Sequence, residues 1–164
     1  MNLSKDSNYH NDVGMNVTEI KRLLKPYGLK LTLIRLKLLE IFLSSDTALT
    51  FAELLCLTNK VFDRVSVYRT LKAFEDAGII HRVIGVTSSP SYALSALGKL
   101  TKESDHPQHL HFRCTKCNCV YCLHDYRAPS ITLPDGYEGY TLSIIVVGTC
   151  RICNEKLKTL IPPG

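Results

Sequence analysis

Positions 109 to 119 read HLHFRCTKCNC, two histidines and three cysteines in eleven residues, and CRIC follows at 150 to 153. Two cysteines separated by two residues can place both thiolates on one metal ion. Two such pairs make a closed tetrahedral site of four thiolates, the usual geometry of structural zinc. The ligands would be Cys114, Cys117, Cys150 and Cys153. The second pair starts 33 positions after the first ends, farther than in a compact zinc ribbon, so the intervening chain must fold back. Zinc would then staple a small core whose strands alone are marginal.

His109 and His111 stand two apart on an expected strand, so both imidazoles face one side while Leu110 and Phe112 face the other. Cys122 and His124, on the next expected strand, can approach the pair, and Cys119 is a weaker candidate. Two histidines with a cysteine suit zinc better than a hard cation. Three rival readings use the same residues. A thioredoxin-like redox pair needs a CxxC that opens a helix after a strand, which neither CTKC nor CRIC is expected to do. A zinc enzyme with an open coordination position lacks a general base, since Asp125 has nothing to fix its place, and the proline of a deaminase PCxxC is replaced by Arg113 and Thr149. A peroxide or redox sensor with Cys119 or Cys122 as the reactive thiol is the remaining alternative. Cys56, in an apolar helix, reads as a core residue.

These residues need elements to position them. Residues 1–15 read as a flexible tail. Val17, Ile20, Leu23 and Leu24 fall at helical spacing, ending near Pro26-Tyr27-Gly28. Thr32 can cap a second helix that is apolar on most sides, and Thr50 a third, FAELLCLTN. A fourth helix starts near Ser66, buries Val67, Leu71 and Phe74, and stops at Gly78. IIHRVIGV and SYALS then read as a hairpin through TSSP. This order is that of a winged helix-turn-helix over 16–95. Residues 96–108 are polar and read as a hinge. Beyond it, over 109–164, HLHFRC, VYCL and YTLSIIVV read as strands and NEKLKTLI as a final helix. The fold class expected is α+β, a winged helix-turn-helix followed by a small α/β domain.

The chain has 164 residues and a net charge of +5. Residues 17–86 hold eleven basic against seven acidic side chains, while 105–164 hold six against five. The basic surplus thus sits in the half without the CxxC pairs, which permits nucleic-acid binding there. No apolar run is long enough to span a bilayer, and the polar start lacks a secretory signal's hydrophobic block, so a cytoplasmic location and no membrane partner are expected. On the fourth helix Ser66, Arg69 and Lys72 lie on the polar side, and Glu75 and Asp76 crowd the far end. Acidic groups repel phosphate, so only the first half can press against duplex DNA. Arg69 could pair with guanine, and Tyr68 could pack on a thymine methyl or hydrogen-bond to phosphate.

SVYRTLKAFEDAGII resembles the recognition helix of the ferric uptake regulator (Fur) superfamily, and GLKLTLIRLKLLEIF resembles the start of its second helix. HLHFRCTKC and GTCRIC resemble its HxH…CxxC and GxCxxC motifs. The resemblance runs from about residue 17 to 155. It implies a homodimeric, metal-dependent DNA-binding repressor whose C-terminal domain dimerises and whose four cysteines hold structural zinc. It also implies DNA contacts from Lys30 in the minor groove, with Arg35 beside it, and from Tyr68 and Arg69 at the bases. Where iron-type members place a histidine, an acid and a second histidine, this chain has Ala48, Ala93 and Leu142. It is closer to the zinc-type (Zur-like) members, which can place a ligand where His81 stands and another where Cys122 stands; their further cysteine is matched by Ser95. The implied regulatory set is His81, His109, His111 and Cys122, for a second divalent metal: zinc first, iron or manganese otherwise.

Overall fold

A computed structural model of the chain describes residues 17–83, 89–95, 109–127, 129–139 and 142–160. The expected tail and hinge lie outside the described residues, as does the first half of the TSSP turn.

Helix α1 (Val17–Leu24) buries Ile20 and Leu24, one turn apart on one face. It tightens into a short 3-10 turn through Pro26 and ends at Gly28, whose φ of 66° is left-handed. The Leu29 N–H reaches back to the Leu24 carbonyl at 3.2 Å and the Gly28 N–H to that of Lys25 at 3.1 Å, which closes the helix end. Helix α2 (Leu33–Leu43) is capped by Thr32 and buries Leu38, Leu39, Ile41 and Phe42. It is therefore enclosed on several sides. Thr50 and Glu53 form a reciprocal capping box at the start of α3 (Phe51–Leu57).

Helix α4 (Arg64–Asp76) starts two residues before the expected Ser66, because Asp63 is the cap and accepts the Ser66 N–H at 2.9 Å. Val67, Leu71 and Phe74 point into the core, none more than 1% exposed. Gly78 ends the helix at φ 69°, with Ile79 N–H bonded to the Phe74 carbonyl at 2.9 Å. That turn is short and internally bonded, so the direction of the next strand is coupled to that of α4.

Strands β2 (Ile80–Val83) and β3 (Ser91–Leu94) pair antiparallel as expected, with His81 opposite Ala93. A third strand, β1 (Leu49–Thr50), joins β3 on its other side, giving the order β1-β3-β2. Two residues carry no readable periodicity, and β1 was not expected. The helices and this sheet enclose one core around Leu24, Leu38, Leu39, Leu54, Leu71 and Phe74.

A second sheet has the order β5-β4-β6. Strand β4 (His109–Cys114) pairs antiparallel with β5 (Val120–Arg127) and parallel with β6 (Ile145–Gly148). His111 lies directly opposite Cys122, and a bulge shifts His109 to face Arg127. The final helix α5 (Arg151–Leu160) begins three residues before the expected NEKLKTLI. Its first turn is closed by the Asn154 N–H on the Cys150 carbonyl at 2.9 Å. CRIC therefore does open a helix close behind a strand, contrary to the expectation from the sequence.

The two sheets touch. Ala48, Val83, Ala93 and Val120 form a small buried cluster, with Cys122 and Ile145 packed against it. The Ala48 N–H donates to the Val120 carbonyl at 2.7 Å.

Phe74 anchors α4 in the first core. Phe74→Ala is expected to cost about 3–5 kcal/mol in urea unfolding, the range for an aromatic removed from a packed core. Leu33→Ala, at a residue 69% exposed, is expected to stay within about 0.5 kcal/mol.

Candidate metal centres

The CTKC loop connects β4 to β5, and Cys150 stands between β6 and α5. Because β6 runs parallel beside β4, Cys114 is opposite Gly148 and the CRIC segment emerges next to the CTKC loop. Ligand atoms of Cys114, Cys117, Cys150 and Cys153 all lie within 4.8 Å of one another. Thiolates on one tetrahedral zinc ion, with Zn–S of about 2.3 Å, stand about 3.8 Å apart. Cys117 Sγ and Cys150 Sγ are 3.8 Å apart, far beyond a covalent S–S bond. The spacing and the all-sulfur donor set fit zinc.

The backbone around these sulfurs favours thiolate. Lys116 N–H and Cys150 N–H point at Cys114 Sγ at 3.4 and 3.3 Å. Burial pushes the Cys114 thiol up, but the N–H groups of Cys117, Cys150 and Lys116 outweigh it and bring it down to about 6. The Cys153 backbone and the Tyr121 hydroxyl hold Cys150 below the ordinary thiol value. Burial, with Cys150, Cys117 and Cys114 beside it, pushes Cys153 up to about 12. Some sulfurs thus favour charge while Cys153 holds its proton. A divalent cation resolves that conflict by stabilising all four as thiolates. Convergence of both pairs also answers the redox reading that the start of α5 had reopened: Cys150 and Cys153 sit in a shared cluster, not in an isolated CxxC.

The second cluster spans the two sheets. Ligand atoms of His81, His109, His111 and Cys122 lie within 4.8 Å of one another. His81 comes from β2 of the first sheet, and the other three from β4 and β5 of the second. His81 Nε2 is 3.1 Å from His111 Nε2 and 3.5 Å from Cys122 Sγ. On a tetrahedral ion, two nitrogens stand about 3.3 Å apart and a nitrogen and sulfur about 3.5 Å. Burial, with His109 and His124 nearby, pushes the His111 imidazole down to about 4. Its lone pair is therefore free of a proton at neutral pH. Burial pushes the Cys122 thiol up to about 12, so a metal must displace that proton.

The other residues singled out in the sequence are placed as follows. His124 stacks on His109 with centroids 4.5 Å apart but is not one of the four. Cys119 lies beside the sulfur cluster, 3.8 Å from the Cys117 carbonyl, and burial and Cys117 push its thiol up to about 11. Such raised thiols, at Cys119 and Cys122, make poor peroxide-reactive nucleophiles. Cys56 is exposed, not a core residue. Arg35 donates to the Lys30 carbonyl at 2.6 Å, so the two are one unit at the start of α2. Tyr68 and Arg69 are exposed on α4. Ser66 Oγ donates to Asp63 at 2.5 Å, and Lys72 is paired with Asp76 at 2.5 Å, so neither is as open as expected.

Residues 26–132 match the family described as "Ferric uptake regulator family". The "Ferric uptake regulation protein" of Bordetella parapertussis is 31% identical over 140 residues, covering 80% of this chain and 94% of the relative. That of Neisseria meningitidis serogroup A is 30% identical over 143 residues, covering 82% and 93%. A solved "Zinc Uptake Regulator Complexed With Zinc AND DNA" superposes with a TM-score of 0.64 at 20% identity, over 86% of this chain and 94% of that one. The Vibrio cholerae ferric uptake regulator superposes with a TM-score of 0.52 at 24% identity, over 79% and 98%. At these identities the two structures are likenesses of fold. Among the described residues, no helix is long and apolar enough to cross a membrane.

His111 carries a pH consequence. Its folded value of about 4 lies below the ordinary 6.5, so the unfolded chain binds the proton first. The His111 contribution to the stability of metal-depleted protein is expected to be fully present above about pH 6.5 and to be lost as pH drops toward 4. The His111 ring proton should titrate near pH 4 by NMR, and His111→Gln should flatten the stability slope in that window.

Proposed function

We propose a function from one premise: the chain belongs to the ferric uptake regulator family. It is a metal-responsive DNA-binding transcription regulator, not an enzyme, and in our reading a zinc-dependent repressor of metal-homeostasis genes. Helices α2 to α4 with strands β1 to β3 form a winged helix-turn-helix, and α4 enters the major groove with Tyr68 and Arg69 leading. Lys30 and Arg35 flank the duplex, and Ser66 and Lys72 complete the contact once their acidic partners yield to phosphate. Two copies pair through the second sheet and α5, where Val147 and Ile152 are exposed on the element pair.

Cys114, Cys117, Cys150 and Cys153 would hold a structural zinc ion. His81, His109, His111 and Cys122 would hold the regulatory ion, and the observation that carries this reading is the 3.1 Å approach of His81 on β2 to His111 on β4. Bound there, a divalent ion supplies a cross-link between the two sheets. His81 is three residues beyond Gly78, so whatever holds His81 also holds α4. In a dimer, that fixes the separation of two recognition helices against half-sites about 34–36 Å apart. Ligands that select one arrangement are coupled, so operator DNA must tighten metal binding in return. The apolar contact at Ala48 and Val120 favours the same arrangement without any ion.

Three expectations test this. Wild-type protein should carry two zinc ions per chain, one readily stripped by chelator with loss of operator binding. His81→Ala should keep the firmly held zinc and weaken the strippable one by more than the roughly 10–100-fold that losing a mere outer-shell partner costs, since a direct ligand is removed. Anisotropy of a duplex selected by the zinc-loaded protein would read this; zinc dependence identical to wild type would remove His81 from the mechanism. Cys150→Ser should instead lose the firmly held zinc, and the near-ultraviolet signal of the second domain with it.

A further inference from the structure

The helix α4 surface continues into a groove that the proposed recognition contacts do not use. It measures about 350 Å³ and is lined by Ala52, Leu55, Cys56, Lys60, Phe62 and Arg64, from α3, the α3–α4 turn and the first residue of α4. The lining is mostly apolar and includes two cations, Lys60 and Arg64. We infer that this groove is a second contact surface for duplex DNA, in which Lys60 and Arg64 grip the phosphodiester backbone and the apolar lining takes the adjoining sugar edge. The inference rests on the DNA-binding reading above and extends it to residues outside the recognition set.

Three observations carry it. The first is the cost at which Lys60 is placed. Asn59 and Lys60 are consecutive non-glycine residues with φ of 52° and 58°, a left-handed pair that a residue with a Cβ such as lysine adopts only at a cost. The neighbouring bonds hold them there: Asn59 N–H to the Cys56 carbonyl at 2.9 Å, and Val61 N–H to that of Thr58 at 3.0 Å. A surface lysine with no role does not need such a turn.

The second is the placement of Arg64. Its guanidinium lies 5.1 Å from the centre of the Phe51 ring, and the same ring meets Tyr68 edge-on at 6.4 Å. Arg64 and Tyr68 are also one helical turn apart on α4, so they share a face. One aromatic side chain thereby aligns an arginine of the groove with a tyrosine of the recognition helix, and the two surfaces are continuous.

The third is charge. The nearest acids are committed to helix caps: Glu53 accepts from Thr50 N–H at 2.7 Å, and Asp63 accepts from Ser66 N–H at 2.9 Å. Neither Lys60 nor Arg64 takes part in a salt bridge among the described residues. Two cations without a direct counter-ion, beside an apolar lining, suit the phosphates and sugars of a nucleic-acid backbone.

The test is a salt series. Zinc-loaded full-length protein and the variant Lys60→Gln/Arg64→Gln are titrated onto labelled duplexes, one selected by the wild type and one unrelated. The double variant should flatten the plot of log affinity against log salt by about 1.8, or 0.9 per phosphate released, and equally on both duplexes. Phe51→Leu should flatten it by less, with Arg64 present but no longer aligned. Arg69→Ala is the contrast, weakening the selected duplex more than the unrelated one. Thermal melts within a degree or two of wild type would show that the variants fold. A double variant that binds with the wild-type slope overturns the inference and leaves the DNA-binding reading in place. A wild-type protein that binds no duplex at any zinc load overturns both.

Discussion

The position of β2 against the β4–β5 pair is the constraint on which the functional geometry depends. Three kinds of restraint meet there. The Ala48 N–H to Val120 carbonyl bond and the Ala48–Val83–Ala93–Val120 cluster are short-range and always present. The His81–His111–Cys122 contacts differ in kind. A neutral His111 imidazole and a protonated Cys122 thiol stand against two further imidazoles, so these groups hold the sheets weakly unless an electrophile sits among them. On the regulatory reading proposed above, an arrangement half-built by apolar contact and completed by a cation would be poised between two states. A fully apolar interface would stay closed, and a purely ionic one would have to order every ligand on binding.

The four-sulfur cluster does a separate job. Strand β6 is an edge strand with Val146 and Val147 exposed, joined to a helix that is itself largely exposed. Few buried contacts hold α5 to the second sheet. With a metal ion among the four sulfurs, as proposed, Cys150 and Cys153 at its first turn would tie it to the β4–β5 loop through Cys114 and Cys117. Backbone N–H groups aimed at Cys114 make the site ready for charge before any ion arrives. Because β4 belongs to both clusters, with His111 at its middle and Cys114 at its end, rigidity at one end supports the geometry at the other.

Much of this was legible in the residues, and what was not has a physical cause. Local signals carried well: Thr32 and Thr50 cap as read, Gly78 stops α4, and the His109–His111 alternation puts both rings on one face. The CxxC spacing named four sulfurs that the fold does bring together. Signals failed where the deciding bond was tertiary or the element too short. Strand β1 exists only because β3 offers it a partner. Helix α5 starts at Arg151 because the Cys150 carbonyl is free to accept, and α4 starts at Arg64 rather than near Ser66 because Asp63 caps it. His81 has no local pattern at all; it was reached through resemblance, and only the packing of β2 on β4 gives it a reason. The left-handed pair at Asn59 and Lys60 was invisible, since neither residue type demands a positive φ.

The alanines sharpen the question of which metal the second cluster suits. Ala48 and Ala93 occupy positions where the iron-type pattern has a histidine and an acid, and both are buried against Val83 and Val120 beside Cys122. An apolar wall thus stands where oxygen or further nitrogen ligands would have entered. What remains is three imidazoles and one thiol, with no carboxylate among the four. Manganese and ferrous iron are better served by carboxylate oxygens than by a thiolate, whereas zinc takes a tetrahedron of nitrogen and sulfur without penalty from its filled d shell. Under the zinc reading proposed above, alanine at these two positions would do two things at once: narrow the donor set toward a borderline-soft ion, and supply apolar contact between the sheets while that ion is absent.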